Sequence, residues 1–339
     1  MSELRDAGIL VRMVHQGFIN AGIDASAIYA RCGITRHHLE DHHIRTPHRA
    51  QSVFWQAAEE ITGDKCIGLH LGEHMPLFGG QVIEYLFLSS ANFSEGLNRF
   101  LRYQRLLSDA VMVYTTVHND NCLLVLEGSD HKNVLTHFID AVLLGALRFF
   151  KYVTQNVFQP TCVYLAHAGD EFCDEYHRIF DCPVVFQSCQ NAIEFPCKVM
   201  DNPSRHAEPE LMKAHEMIAS EQIERLKKRD VIIEIERVVG ELLESGEVSL
   251  ATVASRLGMT TRALRSRLAE ADTCFNQVLA CFRSNLAKKL LARTDESIDE
   301  IVYLTGFSEP STFYRAFKRW TGQTPIEYRK KKQWRSVHN

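Results

Sequence analysis

Three groups of side chains in this sequence are spaced as if for chemistry. Arg262, Arg265 and Ser266 follow a helix-start signal, and Ser311, Thr312 and Arg315 follow another. Guanidinium groups near a helix N-terminus suit the paired acceptors of guanine or a phosphate, and hydroxyls can serve either partner, so both stretches point to double-stranded DNA. A second group, His37, His38, His42, His43 and His48, has the residue type for a metal site. It reads instead as a solvated loop beside Glu40 and Asp41, without the fixed elements that hold ligands, and no metal is expected. The third group is Trp55, Tyr85, Phe87 and Phe138 with Arg148, which could line a pocket for a small-molecule effector and pair with its carboxylate. Phe150, Arg102 and Arg105 are open to the same reading, yet aromatic residues at such spacings equally make ordinary core. No nucleophile elbow, zinc-protease motif, phosphate loop or dinucleotide fingerprint occurs, so neither an enzyme nor a cofactor is expected.

The elements that must carry the first group are written twice. Ser249, Leu250, Val253, Ala254, Gly258 and Thr260 are echoed by Ser297, Ile298, Ile301, Val302, Gly306 and Ser308, each offset by 48 residues. In the first copy Ser249 caps a helix over residues 250–257, Gly258 permits a left-handed turn, and Thr260 caps a second helix. Leu264 and Leu268 then point inward, leaving Arg262, Arg265 and Ser266 outside. In the second copy Pro310 sits in the first turn of the second helix, and Phe313, Phe317 and Trp320 form its inward stripe. Ser311 and Thr312 are placed to reach bases and Arg315 a phosphate. A helix over residues 276–293 joins the copies, so the expected fold is two helix-turn-helix motifs on one connector, reading successive major-groove segments.

Charge divides the chain in the same place. Residues 225–339 carry a net charge of +7, and residues 1–224 carry -11, within an overall -4. The basic part suits a polyanion; the acidic part suits another partner. Residues 7–21, 49–61 and 136–154 have helical periodicity, the last apolar nearly all round. Residues 91–94 precede a helix that runs to about Leu107, and residues 111–116 and 123–127 alternate about a turn at residues 118–121 as a hairpin. Residues 161–167, 183–186 and 192–195 read as strands, with a helix over 170–180.

The fold class expected is therefore an α+β N-terminal sensory domain, residues 1–206, and an all-α DNA-binding domain, residues 230–332. A linker helix over 207–229 and a tail over 333–339 complete the division. The linker's apolar stripe of Leu211, Ala214, Ile218 and Leu226 suits packing on the sensory domain or on a second chain, as in a homodimer. No run approaches a membrane span and residues 1–6 lack the order of a secretory signal, so a cytoplasmic, membrane-free location is expected. The ten cysteines, with no Cys-x-x-Cys pair, are then mostly reduced small hydrophobes.

The stretch GFSEPSTFYRAFKRWTGQTPIEYR, from Gly306 to Arg329, resembles the signature of the AraC/XylS family of bacterial transcription regulators. Residues 249–268 and RSNLA from Arg283 are similar to that family's first motif and connecting helix. One departure is Val302, where the family usually has alanine. In the acidic part Arg45, Thr46, Pro47, Trp55, Gly63, Asp64, residues 67–69 and residues 182–186 more loosely resemble the sensory domain of an AraC subgroup. Its helix-rich order departs from the family's sugar-binding jelly roll. The resemblance implies an effector-controlled regulator, an activator working with RNA polymerase, the effector being an amino acid, a fatty acid or a similar metabolite. Two alternatives stand beside it. One is a regulator switched by cysteine oxidation or a partner protein. The other starts from Pro196 and Cys197, which resemble the active-site Pro-Cys-His-Arg of DNA alkyltransferases; Lys198 stands where the activating histidine should be, leaving the thiol unprimed.

Overall fold

The hairpin read from the sequence forms around Asn119 and Asp120, with Asn119 in the left-handed region at φ 55°. The computed structural model describes residues 4–128, 136–243 and 247–337. They fall into two units, one running up to Ile223 and the other starting at Glu224.

The first unit contains β1 (Arg5–Ala7), α1 (Gly8–Ala21), α2 (Ser26–Cys32), α3 (Arg36–Glu40), β2 (Arg45–Pro47), α4 (Ala50–Thr62), α5 (Ile67–His74), α6 (Val82–Leu88) and α7 (Phe93–Tyr103). The hairpin β3 (Val111–His118) and β4 (Asn121–Gly128) follows, then α8 (Thr136–Val153), β5 (Cys162–Tyr164), α9 (Cys173–Phe180), β6 (Val184–Val185) and β7 (Asn191–Pro196). The five strands β3 to β7 form one sheet in the order β3-β4-β7-β5-β6, antiparallel except for β5 with β6. Together with the helices this makes the α+β architecture expected.

Helix α8 is the spine of this unit. Its apolar residues surround the helix axis, so it buries on several sides, against the sheet and against α5. The approach to α5 is close because α5 offers glycines. A Cβ on Gly68 would strike the His137 carbonyl, and one on Gly72 would press on Leu144. Phe87, Phe93, Phe150, Phe158 and Phe195 then pack edge-to-face or tilted, with centroids as close as 4.9 Å for Phe158 and Phe195.

Buried Asp6 ties β1 to its surroundings, accepting hydrogen bonds from His48 Nδ1, Gln51 Nε2 and Ser108 Oγ at 2.9, 2.9 and 2.7 Å. Arg45 on β2 pairs with Asp109 at 3.1 Å and donates to the carbonyls of Arg5 and Leu106. The segment of histidines expected to be a loop is partly helical. His38 Nδ1 accepts from Thr35 N, closing a capping box that starts α3. Among the described residues no group of three or more His, Cys, Asp and Glu is arranged to hold a metal ion. No helix among them is long and apolar enough to cross a membrane.

Helix α10 (Pro209–Leu242) contributes to both units. It runs on past Arg229, where the linker was expected to end, because Ile235, Val238, Val239 and Leu242 keep a buried helical spacing in the second unit. Its first half leaves part of the expected apolar stripe uncovered within the chain, which keeps the second-chain alternative open. Leu211 and Ile218 are exposed, while His215, Glu216 and Ser220 meet Ser89, Arg102 and Tyr103 at 3.2, 2.9 and 2.8 Å. Ready hydrogen-bond partners on the neighbouring helices favour the polar face, which periodicity alone cannot weigh.

The second unit continues with α11 (Leu250–Arg256), α12 (Thr261–Glu270), α13 (Phe275–Arg293), α14 (Ile298–Leu304), α15 (Pro310–Thr321) and α16 (Pro325–Val337). It has two separate cores. The first gathers α10, α11, α12 and the start of α13 around Leu264 and Leu268; the second gathers the end of α13 with α14, α15 and α16 around Phe313 and Phe317.

Candidate functional site

Three of the four helix starts in the helix-turn-helix pairs are set by side-chain caps read from the residues. Ser249 accepts from Thr252 N, Thr260 from Ala263 N and Ser297 from Glu300 N, all at 3.1 Å. Gly258 and Gly306 take φ of 66° and 70°, the left-handed conformation that makes the turn between helices. Helix α15 begins at Pro310 with Glu309 as the flanking residue, one position later than a cap at Ser308 would give.

These starts aim the recognition faces outward. Arg262, Arg265 and Ser266 are exposed on α12 while Leu264 and Leu268 are buried beneath them. Ser311, Thr312 and Arg315 are exposed on α15 while Phe313 and Phe317 are buried. Two of the exposed groups lean on neighbours: Ser266 Oγ donates to Glu270 at 3.2 Å, and Arg315 Nη2 donates to Thr312 Oγ1 at 3.5 Å. Such long, exposed bonds exchange readily for a phosphate or a base edge.

The connector α13 does more than span the heads. Val278 belongs to the first core, and Ala287 and Leu291 belong to the second. Between them Arg283 donates from Nη2 to Gly306 O at 2.8 Å and lies over the Phe307 ring, 4.7 Å from its centroid. A Cβ on Gly306 would also strike Leu243, which belongs to the first core. The turn of the second head is therefore keyed to the connector and to the first head.

The other candidate site is a cavity of about 330 Å³ inside the first unit. It opens because the inner stripe of α8 runs Phe138, Ala141, Val142, Gly145, Ala146, Phe149, so small residues sit between two large rings. Helices α1, α2, α3, α4, α6 and α7 and strands β2, β3 and β4 contribute to the remaining walls, which are almost entirely hydrocarbon. Volume and lining match an ordinary small-molecule pocket.

Trp55, Phe138 and Phe150 line this cavity, as expected from their spacing; Tyr85, Phe87 and Arg148 do not. Tyr85 is exposed and its ring meets His215 at 5.8 Å. Phe87 is buried in the aromatic cluster, packed on Gly96 and Phe149. Arg148 donates to the carbonyls of Gly72 and Met75 at 2.6 and 2.8 Å, closing the end of α5 where free carbonyls and the helix dipole attract a cation. Arg102 and Arg105 are likewise engaged, with Glu216 and Asp109, each at 2.9 Å.

The sequence reading missed Glu84. It lines the cavity at the start of α6, where its carboxylate accepts from Gly79 N at 2.8 Å and Gln81 N at 2.9 Å. Burial pushes its pKa up, and those backbone donors only partly oppose it. The capping pattern of Gln81 and Glu84 is visible in the sequence, but nothing local says that it borders a cavity.

Residues 22–204 match the arabinose-binding domain of AraC transcription regulator at its N-terminal part, and residues 253–331 match a helix-turn-helix domain. The chain is similar to the ornithine utilization regulator of Pseudomonas aeruginosa, 25% identical over 276 residues, spanning 80% of this chain and 81% of that protein. It is 31% identical over 157 residues to the transcriptional regulator VirS of Mycobacterium tuberculosis, 45% of each chain. Among solved structures, the transcriptional regulator CdpR from Pseudomonas aeruginosa aligns over 95% of this chain and 98% of its own, with 21% identity and a TM-score of 0.47.

Proposed function

This chain belongs to the AraC family of DNA-binding transcription regulators, and we propose from that premise that it is an activator whose DNA-bound arrangement is selected by a small molecule in the α8 cavity. The observation that carries the DNA half is the pair of exposed helices α12 and α15, held by one connector and bearing Arg262, Arg265, Ser266, Ser311, Thr312 and Arg315. Arg262 and Arg265 take base edges or flanking phosphates through the first head. Ser311 and Thr312 read bases through the second, with Arg315 on a phosphate. The two heads occupy successive major-groove segments about one helical turn apart.

The ligand half rests on the cavity. An effector there shifts the population of the DNA-competent arrangement by no more than its differential affinity for the two states. RNA polymerase, and a second copy of the chain forming a homodimer, are the protein partners of this reading. DNase footprinting of genomic fragments with the full chain tests the DNA half. Two protected patches on one face are expected, and failure to protect any fragment at modest salt overturns it.

One contact favours a second reading. Cys122 Sγ and Cys197 Sγ approach to 2.8 Å, close enough for a peroxide to couple them as a disulfide with release of water. Burial pushes the Cys122 thiol up to about 12, which leaves it a poor nucleophile and makes the ligand reading the stronger one. A response to peroxide that disappears in Cys197→Ser would reverse that preference. The alkyltransferase alternative has less behind it: the residue after Cys197 is Lys198, exposed and in no position of a paired base.

A further inference from the structure

The cavity is selective by charge. Among the described residues its walls contain no lysine or arginine, and the arginine nearest in sequence along α8, Arg148, is spent on two backbone carbonyls. The one carboxylate in the walls, Glu84, forms no ion pair with a described residue; its partners are backbone N–H groups. The other polar groups are largely occupied. Gln51 donates to Asp6 and accepts from Trp55 Nε1 at 3.2 Å, and His38 Nδ1 is held by Thr35.

A ligand carboxylate or phosphate entering here would lose its hydration, find no lysine or arginine, and face a like charge. A sugar would leave several hydroxyls without partners against hydrocarbon. Ornithine would bury a carboxylate and two ammonium groups in a space with one acid. Neither an arabinose-like sugar nor ornithine is therefore suited to these walls.

Building on the reading of this cavity as the effector site, we propose that it takes a chiefly hydrocarbon molecule without negative charge, whose single hydrogen-bond donating head, an amine or a hydroxyl, meets Glu84. The expectation of an amino acid or fatty acid gives way to this class, because the carboxylate both share has no counter-ion here. Glu84 keeps acceptor capacity beyond the backbone bonds it already accepts, since two carboxylate oxygens offer about four lone-pair sites. The small residues of α8 leave the length of the cavity to the hydrocarbon body.

The test uses the full chain and three probes of equal chain length, 1-octylamine, 1-octanol and octanoate, each below its micelle concentration, read by thermal shift and by titration. Octylamine and octanol should raise the melting temperature with increasing concentration, and octanoate should bind at least about ten-fold more weakly than octanol, as like-charge juxtaposition demands. In Glu84→Gln, where the amide still caps α6, the discrimination against octanoate should narrow and octylamine should bind more weakly than it does to the unchanged chain. Gly145→Leu fills the cavity from a position where an added Cβ meets only Met75 Cε, at 3.9 Å, and should abolish binding of all three; Ala146→Val serves if that variant fails to fold.

The outcomes separate the two levels of the argument. Octanoate binding as well as octanol, and lost in Gly145→Leu, overturns the ligand class and leaves the cavity as the site. Binding that survives in both filled variants overturns the cavity as the site. No stabilisation by octylamine or octanol overturns the ligand class.

Discussion

The two heads of the second unit share one plan and differ in what they do with it. Each has a serine cap, a small or β-branched residue at the helix crossing, a left-handed glycine and a buried pair four residues apart on the second helix. The first head fills its core with aliphatic residues, Leu264 and Leu268 against Val239 and Val253. The second fills it with rings, Phe313 and Phe317 against Phe307, Trp320 and Tyr328. The outer faces diverge as well: three arginines, Arg262, Arg265 and Arg267, on α12, but Ser311, Thr312 and Arg315 on α15. Backbone geometry is thus kept by the caps and turn, while core filling and surface chemistry vary without disturbing it. Val302, in place of the alanine of the first copy, is buried at 4% exposure, so the second head absorbs two extra methyl groups at its crossing.

Five experiments would break or sharpen that contrast. The largest effect is expected in the cores. Phe317→Ala should cost about 3–5 kcal/mol and Leu264→Ala about 2–5 kcal/mol. Hydrogen exchange on the full chain should accelerate over residues 298–321 in the first variant and over residues 250–270 in the second; acceleration in both heads from either change would make them one cooperative core. Arg283→Ala comes next. It removes a charged hydrogen bond of about 1.5–3 kcal/mol from the Gly306 carbonyl, and footprints should keep the first protected patch while the second weakens.

On the surfaces, Arg262→Ala and Arg265→Ala should each weaken specific binding by about 1–3 kcal/mol and relax preference at the bases they meet. An unchanged base preference in competition assays would assign both to phosphates. Loss of a cap should cost the two heads alike: Ser249→Ala and Ser297→Ala, about 1 kcal/mol each in denaturant unfolding, with a large inequality showing that one cap is redundant. Smallest is Arg315→Ala, for which binding should fall evenly across sequences and the salt slope should drop by about one. A sequence-selective loss would move Arg315 onto a base.

Legibility in the sequence followed the range of the interactions involved. The hairpin about Asn119 and Asp120, the helices of both heads and the all-round apolar α8 rest on residues within a few positions of one another, and they formed where read, except that α15 starts one residue later and without a side-chain cap. Elements fixed by distant partners were missed. Helix α5 is short and glycine-bearing, and makes sense only beside α8; β1 and β2 are three residues each and hold through Asp6, Arg45 and Asp109. Of the residues proposed for the effector pocket, Trp55, Phe138 and Phe150 line the cavity. The better signal was the run of Ala141, Gly145 and Ala146 at helical spacing between Phe138 and Phe149, a row of small side chains on a helix otherwise packed with large ones.

The order of residues by itself determined that two capped, glycine-turned helix pairs would form and which of their side chains would face out, because caps, turns and helical periodicity act within one or two turns of chain. Tertiary structure alone decided that Arg148 would close a helix end, that Arg283 would key the second head to the connector, and that Glu84 would border a hydrocarbon cavity with no cation partner among the described residues. Each of those outcomes depends on which groups from remote segments arrive first within hydrogen-bonding reach of a buried charge, and burial, unlike periodicity, is a property of the assembled fold.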